Sequence, residues 1–116
     1  MSPRRVLLAD DHESVRAGVA ALLEASDEFT LVGAARDGRE ALEMASALAP
    51  DVVLIDLSMP VVDGVEAIRR FAARTRCPRL VAFTGWSQLG SRALAAGAAC
   101  CVFKDAPPRE LLAALR

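Results

Sequence analysis

At 116 residues the chain is long enough for one hydrophobic core and too short for two, so we expect a single domain over residues 1–116. Fourteen Lys and Arg against fifteen Asp and Glu leave a formal charge of −1, which gives this chain no electrostatic footprint for nucleic acid. No apolar run approaches membrane-spanning length, and three cysteines, two of them adjacent, do not make a disulfide framework, so the expectation is a cytoplasmic protein without membrane association.

Strand-like and helix-like segments then alternate. Arg5 to Ala9 is a first apolar run, and it ends on Asp10-Asp11. Val15, Val19, Leu22 and Leu23 recur at helical spacing with Arg16 and Glu24 off the stripe, which predicts an amphipathic helix over about residues 12–25. Phe29 to Ala35 is a second strand, interrupted by Asp37-Gly38. Ala41, Met44, Ala45 and Leu48 mark a second helix ended by Pro50. Val52-Val53-Leu54-Ile55 is a run of apolar residues rich in β-branched types, the pattern of a strand buried on both faces, and it ends on Asp56. A third helix starts near Asp63, whose carboxylate suits an N-cap, and carries Val65, Ile68 and Ala72. Leu80 to Phe83 is a fourth strand ending on Thr84. A short helix over roughly Leu89 to Ala96 stops at Gly97. Cys100 to Phe103 is a fifth strand ending on Lys104, and Pro107-Pro108 suits the first turn of a last helix bearing Leu111, Leu112 and Leu115.

Five strands each followed by a helix predict an α/β, doubly wound parallel sheet. Parallel strands all point one way, so the four polar ends at Asp10-Asp11, Asp56, Thr84 and Lys104 must gather at one sheet edge. Ligands of open α/β sheets bind outside that edge. Three carboxylates there repel one another by roughly 4 kcal/mol per pair at 4 Å and an effective dielectric of about 20, so something must neutralise them, and protonation of one carboxylate or pairing with Lys104 would help. Oxygen-only donors beside open water suit Mg²⁺, and an aspartate beside a metal can attack phosphorus to form an acyl phosphate. Thr84 can hydrogen-bond a phosphoryl oxygen and Lys104 can pair with another. These are the parts phosphoryl transfer needs.

Leu8-Ala9-Asp10-Asp11-His12, Asp56-Leu57-Ser58-Met59-Pro60-Val61-Val62-Asp63-Gly64, Thr84-Gly85, Gly97-Ala98 and Phe103-Lys104-Asp105 together resemble the receiver domain of two-component response regulators. Asp10-Asp11-His12-Glu13 with Arg16-Ala17-Gly18, and Lys104-Asp105-Ala106, resemble the subfamily whose receivers precede a helix-turn-helix DNA-binding domain. The resemblance implies a flavodoxin-like five-stranded sheet in the order 2-1-3-4-5 with helices on both faces. It makes Asp56 the phosphoacceptor from a sensor histidine kinase, with Asp10, Asp11, Asp56 and the backbone carbonyl of Ser58 holding Mg²⁺. Thr84 becomes the hydroxyl that follows the phosphoryl group, and Lys104 its ion-pair partner. It further implies a switch that catalyses its own phosphorylation and dephosphorylation, homodimerisation, and transcriptional output through a DNA-binding domain beyond Arg116.

Two departures bear on switching. Where the family usually has an aromatic residue three positions before the lysine, this chain has Cys101, and the segment from Thr84 to Gly97 is a few residues short, which predicts a short or displaced fourth helix. They favour an alternative, a receiver-like interaction module that signals without phosphorylation. An aspartate-nucleophile phosphatase fits less well, because its Asp-x-Asp run is replaced here by adjacent aspartates. Singly, each site residue has an ordinary reading: Asp10 or Asp11 as a helix cap, Asp56 as a turn residue, Thr84 as a loop ligand, Lys104 as a solvated strand end. Their convergence on one edge outweighs these readings. His12 is placed at the pocket rim rather than as a ligand. Cys100-Cys101 lacks zinc-like spacing and reads as buried small residues, while Trp86 reads as an exposed contact or a lid.

Overall fold

The computed structural model describes residues 2–85 and 87–116, so Trp86 lies outside the described residues. Ten elements alternate: β1 (Arg4–Ala9), α1 (Glu13–Glu24), β2 (Phe29–Ala35), α2 (Gly38–Leu48), β3 (Val52–Asp56), α3 (Gly64–Ala72), β4 (Arg79–Thr84), α4 (Ser87–Ala96), β5 (Cys100–Phe103) and α5 (Pro108–Leu115). The strands form one parallel sheet in the order β2-β1-β3-β4-β5, as the resemblance implied.

Side-chain alternation divides the core into two layers. Val52 and Leu54 of β3, with Val6, Leu8, Val81 and Phe83, pack with Val19 and Leu23 of α1 and Leu111 and Leu115 of α5. Val53 and Ile55, with Leu7, Leu80 and Ala82, pack with Leu42 and Ala45 of α2, Ile68 and Phe71 of α3 and Ala93 of α4. Every residue of β3 is buried, which is why its sequence is continuously apolar up to Asp56.

β2 follows a different rule. The ladder pairs Val6 with Leu31 but Leu7 with Gly33, so Val32 is an extra residue, a β-bulge. Phe29 and Leu31 therefore pack on the α1 side, and Ala35 on the opposite side. Gly33 faces α2 as well, since a Cβ there would lie 2.7 Å from Met44 Cε. Without the bulge all four would share one face.

The α2 and α3 helices start on Asp-Gly pairs. Asp37 Oδ1 accepts from the Glu40 amide at 2.8 Å, and Asp63 Oδ1 from the Glu66 amide at 2.9 Å, which bears out Asp63 as an N-cap. Asp63→Ala removes one such bond at the helix that follows the acceptor strand. We expect a loss of about 1 kcal/mol in urea denaturation, with no change in the slope of the transition.

The fourth helix corrects the sequence expectation. It spans ten residues from Ser87, longer than α3 or α5, and does not begin at Leu89. It starts three residues after the end of β4 at Thr84. Burial explains this, because Leu89, Ala93 and Ala96 pack against the core at helical spacing and hold the helix at full length. Gly97 ends it with φ +127, a conformation that favours glycine.

Candidate functional site

The parallel sheet brings the sequence-predicted residues to one edge. Asp10 follows β1, Asp56 closes β3, Thr84 closes β4 and Lys104 follows β5. Asp10, Asp56 and Thr84 are the buried polar residues of the described chain, at most 1% exposed. Burying ionised carboxylates is costly unless they are paired, so their partners define the site.

Lys104, the only lysine in the chain, supplies the charge. Its Nζ lies 3.0 Å from Asp10 Oδ2 and 3.3 Å from Asp56 Oδ1, while the same ammonium sits 5.6 Å from the centroid of the Phe83 ring. The Lys104 amide donates to the Thr84 carbonyl at 2.9 Å, tying the ends of β4 and β5 together. Ser58 enters through its backbone, donating its amide to Asp56 Oδ1 at 3.1 Å. Asp56 Oδ1 thus has two partners. Asp56 Oδ2 is buried and has no hydrogen-bond partner among the described residues, which leaves it for a ligand.

The charges are unequal. Burial pushes the Asp56 carboxyl above its ordinary pKa; the Ser58 amide pulls it back, the Asp10 charge raises it further, and Lys104 offsets part of that. Burial acts to lower the Lys104 pKa, yet the hydrogen bond to Asp10 and the charges of Asp56 and Asp10 outweigh it and raise the ammonium above its usual range.

Asp11 stands at the rim with its side chain about a third exposed. The N-cap position of α1 is taken by His12, which makes no side-chain cap bond, and not by either aspartate. Instead the His12 amide donates to Asp10 Oδ1 at 2.8 Å, and its Nδ1 lies 3.2 Å from Asp10 Oδ1 and 3.1 Å from Asp11 Oδ1. One ligand atom from each of Asp10, Asp11, His12 and Asp56 falls within 4.8 Å of the others, and His12, with its side chain 60% exposed, stands at the rim of that cluster. Arg16 adds a contact not anticipated from sequence, its Nη1 donating to the Asp10 carbonyl at 2.6 Å and holding the β1–α1 turn. Its place one turn into the helix, beside the acidic pair, was the available signal.

A divalent cation fits this donor set. The carboxylates are hard oxygen donors, they outnumber the one ammonium that faces them, and Asp56, which has an orphaned oxygen, belongs to the same cluster.

Comparison with known proteins supplies the family. The response regulator receiver domain profile matches residues 6–116. The chain is 41% identical over 113 residues to the response regulator UvrY of Escherichia coli O6:H1, covering 96% of this chain and 52% of that protein. It is 38% identical to the transcriptional regulatory protein LiaR of Bacillus subtilis, covering 97% of this chain and 54% of that one. The signal receiver domain of the NarL response regulator of Mycobacterium tuberculosis superposes with a TM-score of 0.92 at 33% identity, covering 98% of this chain and 94% of that one. The fold and the polar sheet edge thus define a signalling receiver module. The chain belongs to the response regulator receiver family, and within it to the kin of LuxR- and NarL-type regulators. It spans about half the length of the curated relatives it matches. Among the described residues no helix is long and apolar enough to cross a membrane.

Proposed function

We propose that this receiver accepts a phosphoryl group from a sensor histidine kinase onto Asp56 and relays its state to transcription through a DNA-binding domain outside residues 1–116. The observation that carries the reading is Asp56 itself, a buried carboxylate at the end of a central strand with one oxygen held by Ser58 and Lys104 and the other unpartnered. In the transfer, an Asp56 oxygen bonds to phosphorus as the bond from phosphorus to the donor nitrogen breaks and that nitrogen takes a proton. The product is an acyl phosphate. Asp10, Asp11, Asp56 and the Ser58 carbonyl are the groups that would hold Mg²⁺, which when bound neutralises phosphoryl charge. Lys104 balances Asp10 and Asp56 before transfer and pairs with a phosphoryl oxygen after it, and Thr84 hydrogen-bonds another. The half-length match to longer regulators supports residues 1–116 as one unit of a longer protein, which in this reading is cytoplasmic and dimerises. The test is intact mass after incubation with Mg²⁺ and a small phosphodonor such as acetyl phosphate. A phosphate-sized gain is expected, and none at any metal concentration overturns the reading in favour of phosphorylation-independent signalling.

With Cys101 where the family usually has an aromatic residue, the state of Asp56 reaches the surface without a ring movement at this position. The Cys101 thiol packs against α4, 3.3 Å from where a Cβ on Gly90 would stand, and burial pushes its pKa up. The side chain is a small spacer between β5 and α4, with no ring to swing. Cys101→Ala is therefore expected to leave phosphorylation-dependent self-association, read by sedimentation, nearly unchanged. Cys101→Tyr drives a ring against Gly90 and should cost about 1–3 kcal/mol of stability. A large loss of coupling in the Ala variant would give the thiol a switching role of its own.

A further inference from the structure

At the opposite end of the strands from Asp56, where β1 and β4 begin, a cavity of about 770 Å³ opens with four arginines in its wall, Arg4, Arg74, Arg76 and Arg79. The chain as a whole carries a charge of −1, so this concentration of one sign is local. Among the described residues the only acid in the wall is Asp51, and its Oδ2 already accepts from the Arg5 amide at 2.8 Å. Two of the arginines have structural work. Arg74 Nη2 donates to the Leu42 carbonyl at 3.0 Å, and Arg79 Nε to the Ala114 carbonyl at 2.8 Å, bracing α2 and α5. These bonds do not account for the other two. Arg4 Nε is buried with no hydrogen-bond partner, and Arg76 makes no ion pair among the described residues. A buried guanidinium donor left open, on a residue that shares a cavity wall with three other arginines, is satisfied by an anionic acceptor.

We infer that this cavity is a binding site for an oligophosphate anion. Guanidinium groups present paired N–H donors that match phosphate oxygens, and several phosphates in a chain can engage several arginines at once. The volume lies within the range of about 300–1,000 Å³ usual for small-molecule sites. β3 spans five residues from the base to Asp56, about 13 Å at the usual strand rise, so the anion binds without competing for the acceptor edge. A bound anion stabilises the fold by mass action, giving the receiver an input separate from phosphorylation.

Thermal unfolding in EDTA at fixed ionic strength tests this, with sodium tripolyphosphate and ADP as separate probes and sodium sulfate as the salt control. Saturable rises in melting temperature with either probe, exceeding sulfate, are expected, and the probe with the tighter midpoint identifies the source as inorganic or nucleotide. Arg4→Gln and Arg76→Gln should each weaken the midpoint about tenfold, roughly the value of one charge-assisted bond. Both variants should still melt cooperatively without ligand, which separates lost binding from lost folding. Absence of a saturable rise, or variants that titrate like the parent, overturns the site.

Discussion

Asp56→Asn is expected to show no phosphate-sized mass gain under conditions that fully modify the parent, and in metal-free buffer near neutral pH it should fold more stably than the parent. The first effect follows from the loss of the nucleophilic oxygen. The second follows from the charge balance at the sheet edge. Burial and the Asp10 carboxylate raise the Asp56 pKa in the folded state, against the opposing pull of Ser58 and Lys104. A carboxyl whose folded pKa is raised contributes stability that is fully present below its unfolded value, about pH 4, and is lost as pH rises through the folded value. At neutral pH the ionised Asp56 therefore costs folding energy. Asn keeps the shape without the charge, and Lys104 keeps Asp10 at 3.0 Å as its partner. The gain should be about 1–3 kcal/mol by urea denaturation near pH 7.5 and should shrink toward zero near pH 4, where the parent carboxyl is protonated. A phosphate-sized gain on the Asn protein would move the acceptor to another side chain. Equal stability at both pH values would mean that the Asp10–Lys104–Asp56 cluster is not the strained arrangement its geometry indicates.

That cluster was legible in the sequence because a parallel sheet converts strand order into spatial convergence. Asp10-Asp11, Asp56, Thr84 and Lys104 are far apart in the chain, but each ends an apolar run, and that alone brings them to one edge. The doubly apolar pattern of β3 likewise announced a central strand. What could not be read is set by packing between elements. Nothing in Phe29 to Ala35 marks Val32 as the bulged residue, since apolar side chains satisfy either face. The start of α4 differs from the sequence expectation because a shortened segment can be taken from loop or helix, and only the burial of Ala93 and the contact of Gly90 with Cys101 decide which. His12 and Arg16 join the site through the turn after β1, a geometry that side-chain periodicity does not encode. The arginines at the base are scattered from position 4 to position 79, and although Arg4 and Arg79 open the apolar runs of β1 and β4, Arg74 and Arg76 lie in the connection before β4, which no periodicity marks.

Gly64 illustrates the same distinction and supplies the sharpest structural test. In sequence, Asp63-Gly64 is a cap followed by a flexible residue, and flexibility alone would make alanine a mild change. The packing says otherwise. A Cβ at Gly64 would stand 2.5 Å from Leu57 Cα and deeper still against the Asp56 carbonyl oxygen, so the first residue of α3 is pressed on the backbone that carries the acceptor. Backbone cannot rotate out of the way as a side-chain tip can. Gly64→Ala must shift either α3 or the end of β3, and the cost should reach about 3 kcal/mol, the upper part of the usual range for overpacking. Gly18 provides the contrast, because it lies within α1 with nothing inside 4 Å of where a Cβ would stand, and Gly18→Ala should instead raise stability by about 1 kcal/mol through helix propensity alone. The two substitutions are chemically identical, so opposite signs in urea denaturation isolate contact from propensity. Phosphorylation should separate them as well. Gly18→Ala should be modified at the parent rate, whereas moving the Asp56 carbonyl also moves the carboxylate attached to the same residue, and a displacement on the order of 1 Å at reacting atoms slows a positioned reaction by about a hundredfold. If Gly64→Ala were modified as fast as the parent, the close seating of α3 on β3 would be a feature of stability only, and the orientation of Asp56 would have to come from Ser58 and Lys104 alone.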